Sequence, residues 1–180
     1  MGEYVAMLRG VNVGGRTLRM QDLRAWLEAL GLANVRTYVQ SGNAVFTATG
    51  AAPAIAADIE AAIARGLGEA VPVFVKTSRE LAGIVERNPF ASEEGVEPRA
   101  LHVTFLRRAP TKAALTKLAE IESGADRWHA RGSEIYLFCP NGYGRTKLSN
   151  GAIERAVATT ATTRNWNSVN KLLAMASGEG

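Results

Sequence analysis

Cysteine and histidine are scarce in this sequence, and their scarcity argues against several kinds of site. The single cysteine, Cys139, cannot form an internal disulfide, and neither His102 nor His129 has a further cysteine or histidine at metal-ligand spacing. No G-x-S-x-G segment is present, which argues against a serine hydrolase. We therefore expect no metal and no cofactor. The lone thiol fits a reducing, cytoplasmic environment.

Long apolar runs are also missing. No stretch approaches the roughly 20 apolar residues that a membrane-spanning helix requires. The first residues lack the basic region and apolar core of a signal peptide. We therefore expect no membrane partner. The 180 residues are 47% apolar and 21% charged, which is typical of a globular protein. The net charge of +4 permits a polyanionic partner without requiring one.

The first half of the chain has a β-α-β-β-α-β order. A strand over residues 4–9 precedes a helix whose apolar residues recur at i, i+3, i+4 and i+7 spacing. A hairpin of two short strands follows, over 35–39 and 44–47. Pro53 opens an alanine-rich helix, and a strand over 73–76 ends the pattern. This order is that of a ferredoxin-like unit.

The second half repeats the order only in part. A strand over 100–107 and a helix from Thr111 precede a hairpin over 127–139. Ser149 can cap the next helix, but a terminal helix with an apolar face then stands where a last strand is expected. The sequence predicts an α+β protein of two tandem ferredoxin-like halves, the second incomplete and ending in a helix.

A helix and a linker connect the halves. Thr77-x-x-Glu80 has the form of a capping box and opens a helix that ends before Pro89. The next stretch contains two prolines and three glutamates, which is typical of a linker. The predicted division is 1–77 for the first half, 78–99 for the helix and linker, and 100–180 for the second half.

Four segments resemble those of a widespread bacterial family of unknown function. Residues 4–15, YVAMLRGVNVGG, are similar to that family's opening YVALLRGINVGG, and residues 37–46, TYVQSGNAVF, to its TYIQSGNVVF. Residues 141–148, NGYGRTKL, and 163–172, TRNWNSVNKL, are similar to NGYGRSKL and TRNWNTVxKL. The resemblance implies a bacterial α+β protein with two related subdomains. It supplies no reaction, no cofactor and no catalytic residue.

Three loops in these segments combine glycine with arginine, asparagine or lysine and contain few acids. Glycine turns let backbone N–H groups and cations approach an anion closely. We therefore predict that the loops converge on a phosphate-bearing small molecule or on nucleic acid. The candidate ligand-binding residues are Arg9, Asn12, Gly14, Gly15, Arg16, Asn43, Tyr143, Arg145 and Lys147. The alternative for each loop is an ordinary strand-to-helix or hairpin turn with solvated cations.

The aromatic residues of the strands allow two interpretations. On an open sheet face Tyr4, Phe46, His102, Tyr136 and Phe138 would stack on RNA bases. Neither RNA-recognition signature is present, which favours the alternative that these rings fill the core.

Two other functions stay open alongside ligand binding. An enzyme acting on a phosphorylated or carboxylate substrate would use the same cations and would need a carboxylate or histidine beside them. A structural or oligomerising protein would use the loops only to hold the halves together. The sequence assigns neither a catalytic residue nor an oligomeric state.

Overall fold

The computed structural model describes residues 1–13 and 17–178. The described residues form a mixed α+β protein with two four-stranded antiparallel sheets and six α-helices. The chain divides into two compact units. Unit 1 comprises Met1–Gly83 and Lys171–Gly180, and unit 2 comprises Ile84–Asn170.

Unit 1 contains the β-α-β-β-α-β order that the sequence predicts. Its elements are β1 (Gly2–Leu8), α1 (Met20–Ala29), β2 (Ala33–Tyr38), β3 (Asn43–Ala48), α2 (Ala52–Leu67) and β4 (Val73–Thr77). The strand order is β2-β3-β1-β4, and every neighbouring pair is antiparallel. A core of buried apolar side chains joins this sheet to α1 and α2.

Helix α2 includes Gly66 and ends one residue later, at Leu67. The indole of Trp26 on α1 packs directly against Gly66, where any side-chain carbon would clash with the ring. Gly68 then ends the helix in a left-handed conformation, and its N–H donates to Ala64 O at 3.0 Å. Gly66 therefore serves helix packing, whereas Gly68 is the cap.

The capping box is confirmed at the start of α3 (Ser78–Glu86). The N–H of Thr77 donates to Glu80 Oε2 at 2.7 Å, and the N–H of Glu80 donates to Thr77 Oγ1 at 3.1 Å. These reciprocal bonds satisfy two donors that the first turn of a helix leaves unpaired.

Unit 2 has the same element order as unit 1. Its elements are β5 (Leu101–Leu106), α4 (Lys112–Ala119), β6 (Arg127–Arg131), β7 (Glu134–Phe138), α5 (Asn150–Val157) and β8 (Ala161–Asn165). The last helix, α6 (Trp166–Ala176), begins in unit 2, and its residues from Lys171 belong to unit 1. The strand order is β6-β7-β5-β8, again antiparallel throughout. Buried side chains from α4, α5 and the sheet form the core of this unit.

The prediction that the second half lacks its last strand was wrong. β8 pairs with β5 from Leu106↔Ala161 to His102↔Asn165. The sequence of β8 is polar, so it lacks the apolar run that marks a strand, and the apolar period of α6 begins directly after it. Pairing with β5 supplies the stability that local preference does not.

Candidate functional site

Asn12 braces two loops of unit 1 against each other. Its Oδ1 accepts the N–H of Leu18 at 2.8 Å, and its Nδ2 donates to Leu18 O at 2.9 Å and to Gln40 O at 2.6 Å. Asn12 has a φ of 56°, a left-handed conformation that asparagine tolerates better than most residues. These bonds favour the structural interpretation of Asn12. Its predicted neighbours Gly14, Gly15 and Arg16 lie outside the described residues.

The hairpin loop before β3 is also held by internal bonds. Asn43 is fully buried, and its Nδ2 donates to Tyr38 O at 3.1 Å and to Ser41 Oγ at 2.9 Å. Arg9 is half-buried, and its backbone N–H donates to Pro72 O at 2.9 Å. The amide of Asn43 therefore fixes the turn from inside the fold.

In unit 2, Tyr143 anchors the loop over residues 141–147 to the sheet. Its ring stacks on the ring of His102, with centroids 4.5 Å apart and planes at 22°. Its hydroxyl accepts the N–H of Asn150 at 2.9 Å, and burial raises the pKa of this phenol. One face of the ring of Tyr143, a predicted ligand-binding residue, is therefore covered by His102.

A hydrogen-bonded network continues from Tyr143 to the strands. The Oδ1 of Asn150 accepts from Thr163 Oγ1 at 3.0 Å, and Thr163 shares a second hydrogen bond with Thr104 across β5 and β8 at 2.8 Å. The Nδ2 of Asn150 donates to Ala161 O at 3.0 Å. The start of α5, the loop before it and two strands are therefore fixed relative to one another.

The two remaining predicted cations, Arg145 and Lys147, line one cleft of about 460 Å3, which we call the charged cleft. Its walls are the turn after α4 and the loop before α5, and its lining residues are Glu122, Ser123, Gly124, Ala125, Asp126, Asn141, Gly142, Arg145 and Lys147. Both cations are exposed. Neither forms an ion pair or a side-chain hydrogen bond with another described residue.

Thr146 connects the two walls of the charged cleft. Its Oγ1 donates to Asp126 Oδ2 at 2.6 Å and accepts the N–H of Leu148 at 3.0 Å. The backbone of Tyr143–Arg145 forms a 3₁₀ turn in which the N–H of Arg145 donates to Gly142 O at 3.1 Å. Since these N–H groups bond within the loop, the side chains of Arg145 and Lys147 are the groups presented to a ligand.

Two carboxylates of the charged cleft were missed by sequence reasoning. Glu122 is exposed and, within the described part of the chain, has no hydrogen-bond or ion-pair partner. Asp126 is half-buried beside Thr146. Both precede the predicted loop by some twenty residues, and no spacing pattern in the sequence links them to it.

Burial favours the neutral forms of His102 and Cys139 in unit 2. Burial lowers the pKa of His102, whose Nδ1 finds no hydrogen-bond partner among the described residues. Burial also raises the pKa of the Cys139 thiol to about 11, so this cysteine is a poor nucleophile. The residues that the structure describes hold no cluster of three or more metal-ligating side chains.

The aromatic residues considered for RNA stacking are mostly inaccessible. Tyr4, Phe46, His102 and Tyr136 are all buried, and Phe138 is half-buried. This supports the interpretation that the rings fill the interior.

No helix in the described ranges combines the length and apolar character needed to cross a membrane. No curated protein matches the chain. In structure, the chain is similar to the conserved bacterial protein SP0830 from Streptococcus pneumoniae, with a TM-score of 0.74 and 21% identity over 98% of this chain and 99% of that one. At this identity the likeness concerns the fold alone.

The family expected from the sequence segments is confirmed. The model of a protein family of unknown function, DUF1697, matches residues 1–136, which include the first two of the four segments. The segments at 141–148 and 163–172 lie beyond the matched residues. The chain belongs to the DUF1697 family of proteins of unknown function.

Proposed function

We propose that this protein binds a small phosphate-bearing ligand in the charged cleft of unit 2. The observation that carries the proposal is the pair of exposed cations, Arg145 and Lys147, which line one cleft and have no partner among the described residues. An arginine and a lysine at one site suit a phosphate, because the guanidinium forms paired hydrogen bonds and the ammonium adds a point charge.

The carboxylates of the cleft support a small ligand over nucleic acid. Glu122 and Asp126 would repel the continuous phosphate backbone of a polynucleotide. The same oxygens would accept hydrogen bonds from the hydroxyl groups of a small molecule. The arrangement therefore fits a ligand with an anionic group at one end and hydrogen-bond donors beside it.

The loop that presents the cations is held before any ligand arrives. Tyr143 stacks on His102 at one end of the 3₁₀ turn, and Thr146 bonds to Asp126 at the other. A loop ordered in advance loses less conformational entropy when it binds. This anchoring supports a binding role for a turn that would otherwise be an ordinary connection.

The proposal is tested by titrating the protein with ribose 5-phosphate and measuring the NMR chemical shifts of its backbone amides. We expect shifts confined to residues 122–126 and 141–147. Arg145→Ala and Lys147→Ala should each weaken binding about tenfold, because each removes a charge-assisted contact. Arg131→Ala is the matched control, since Arg131 is an exposed cation of β6 outside the cleft. Unshifted amides in the cleft, or an equal loss in Arg131→Ala, would contradict the proposal.

The two carboxylates also favour a second candidate, an enzyme acting on the same phosphorylated ligand. Glu122, which has no partner among the described residues, would carry the proton, and the cations would stabilise developing charge. In this reaction water attacks phosphorus and the ester oxygen leaves with a proton from Glu122. Phosphorus NMR would show inorganic phosphate appearing over hours, and Glu122→Gln should abolish its release at saturating ligand. An unchanged spectrum leaves binding as the function.

We also infer that both units are ferredoxin-like and that the protein is bacterial and cytoplasmic. The element order and the antiparallel strand order in each unit support the topology. A single, buried, unpaired cysteine supports a reducing compartment, and the structural relative is bacterial.

A further inference from the structure

A second cleft of about 450 Å3 adjoins the charged cleft at Gly142. Gly142 lines both, and the second cleft also includes Ala100, Phe138, Cys139 and Pro140. Each cleft is within the size range of small-molecule sites. The loop over 141–147 therefore borders both clefts, and the second has polar and apolar walls.

The charged residues of the second cleft are already paired with each other. Arg99 Nε lies 2.5 Å from Glu97 Oε2. Cys139 is fully buried, so the apolar groups that the cleft offers a ligand are Phe138 and Pro140. These surfaces favour a flat, largely apolar group over another charge.

The ring of Phe138 is held in place by its neighbours. The guanidinium of Arg127 lies 4.8 Å from its centroid and 4.9 Å from that of Phe90. Arg127 is in turn bound at both nitrogens by the carboxylate of Glu93, at 2.6 and 3.2 Å. A ring fixed in this way forms a preorganised wall for the cleft.

Only backbone stands between the two clefts at Gly142. This residue has a φ of 88°, and a side-chain carbon added there would meet no described atom within 4 Å. The space beside its Cα is therefore open. No side chain at this position blocks a ligand from extending between the clefts.

We propose that the ligand of the charged cleft is a phosphate ester of the nucleoside monophosphate type, with its flat ring in the second cleft. The proposal rests on the function proposed above and adds the class of ligand. The phosphate pairs with Arg145 and Lys147, the sugar hydroxyls donate to Asp126 or Glu122, and the ring lies against Phe138 and Pro140.

The test compares ribose 5-phosphate with adenosine 5′-monophosphate, using the amide shifts of the whole protein. Both should shift residues 141–147, and only the nucleotide should also shift Ala100 and Cys139. We expect the nucleotide to bind about tenfold tighter, because its ring buries apolar surface. Pro140→Ala should weaken the binding of the nucleotide about threefold and leave the binding of ribose 5-phosphate unchanged. Pro110→Ala is the control, since Pro110 lines neither cleft.

The possible failures are distinguishable. If both ligands bind equally at the charged cleft and Ala100 and Cys139 do not shift, this inference is wrong and the proposed function stands. If Pro140→Ala weakens the binding of both ligands equally, Pro140 stabilises the loop and does not contact the ring of the nucleotide. This result would also overturn the inference. If neither ligand shifts the cleft, the proposed function itself fails.

Discussion

The two units share an element order and a strand order, but their polar loops are used in different ways. In unit 1, the amides of Asn12 and Asn43 are bonded to backbone and hydroxyl groups inside the fold. In unit 2, Arg145 and Lys147 extend from an anchored turn into a cleft without a partner among the described residues. Loops with similar composition can thus be a brace in one unit and a candidate site in the other. The hydrogen bonds of each side chain separate the two cases.

The largest expected effect comes from comparing one loop glycine of each unit. Gly42 and Gly142 both have left-handed φ values, 78° and 88°. A side-chain carbon at Gly42 would clash with Val11 and lie 3.0 Å from Leu8 Cβ, whereas at Gly142 it would meet no described atom within 4 Å. Gly142 has a ψ of 143°, outside the left-handed helical region, so Gly142→Ala should lower the free energy of unfolding by about 2 kcal/mol, the conformational cost alone. Gly42→Ala should lower it by about 3 kcal/mol, because overpacking is added.

Urea denaturation of the two variants measures this difference. Equal losses would mean that the loop of unit 1 is as open as that of unit 2, and the contrast between the units would be broken.

A smaller loss of stability is expected for Asn12→Ala. The change leaves the N–H of Leu18 and the carbonyl of Gln40 without their partner, and it places alanine at a φ of 56°. We expect the free energy of unfolding to fall by about 2 kcal/mol. Lys147→Ala, in the loop over 141–147 of unit 2, should alter the free energy of unfolding by less than about 0.5 kcal/mol. If Asn12→Ala is as stable as the wild type, the structural interpretation of Asn12 is wrong, and Asn12 remains a candidate ligand contact.

The sequence predicts the architecture well where periodicity is strong. The apolar faces of α1 and α2 and the short apolar runs of β1, β3 and β4 indicate these elements in the sequence, because each buries a continuous surface. β8 could not be found in this way, because its stability comes from pairing with β5 some sixty residues earlier. The local signal there belongs to α6.

The candidate site is predictable only in part, for a related reason. Cations in a glycine loop are visible in sequence, and Arg145 and Lys147 were identified by that pattern. The role of Asn12 depends on Gln40, 28 residues away, and the role of Asp126 on Thr146, 20 residues away. An amide that binds a ligand and one that braces a loop have the same sequence signature.

The smallest expected effect is a loss of stability as the pH falls. We assign this loss to unit 2, because both histidines of the chain belong to that unit. Burial lowers the pKa of His102 from its usual 6.5. The unfolded chain therefore takes up a proton as the pH falls below about 6.5, whereas His102 in the folded protein takes one up only at lower pH, so acid shifts the equilibrium toward unfolding. Stability from this group is complete above pH 6.5 and should fall by up to about 1 kcal/mol between pH 7 and pH 5.5.

His102→Phe tests this origin of acid sensitivity. The phenyl ring keeps an aromatic stack against Tyr143 and cannot bind a proton, so the variant should lose less stability than the wild type over the same pH interval. His129→Gln replaces the exposed histidine of β6 and should retain the dependence of the wild type. Unfolding midpoints in urea at pH 7 and pH 5.5 give the comparison. If His102→Phe loses as much stability as the wild type between pH 7 and pH 5.5, the acid-sensitive group lies elsewhere. Any difference in acid sensitivity between the two units would then not come from the burial of His102.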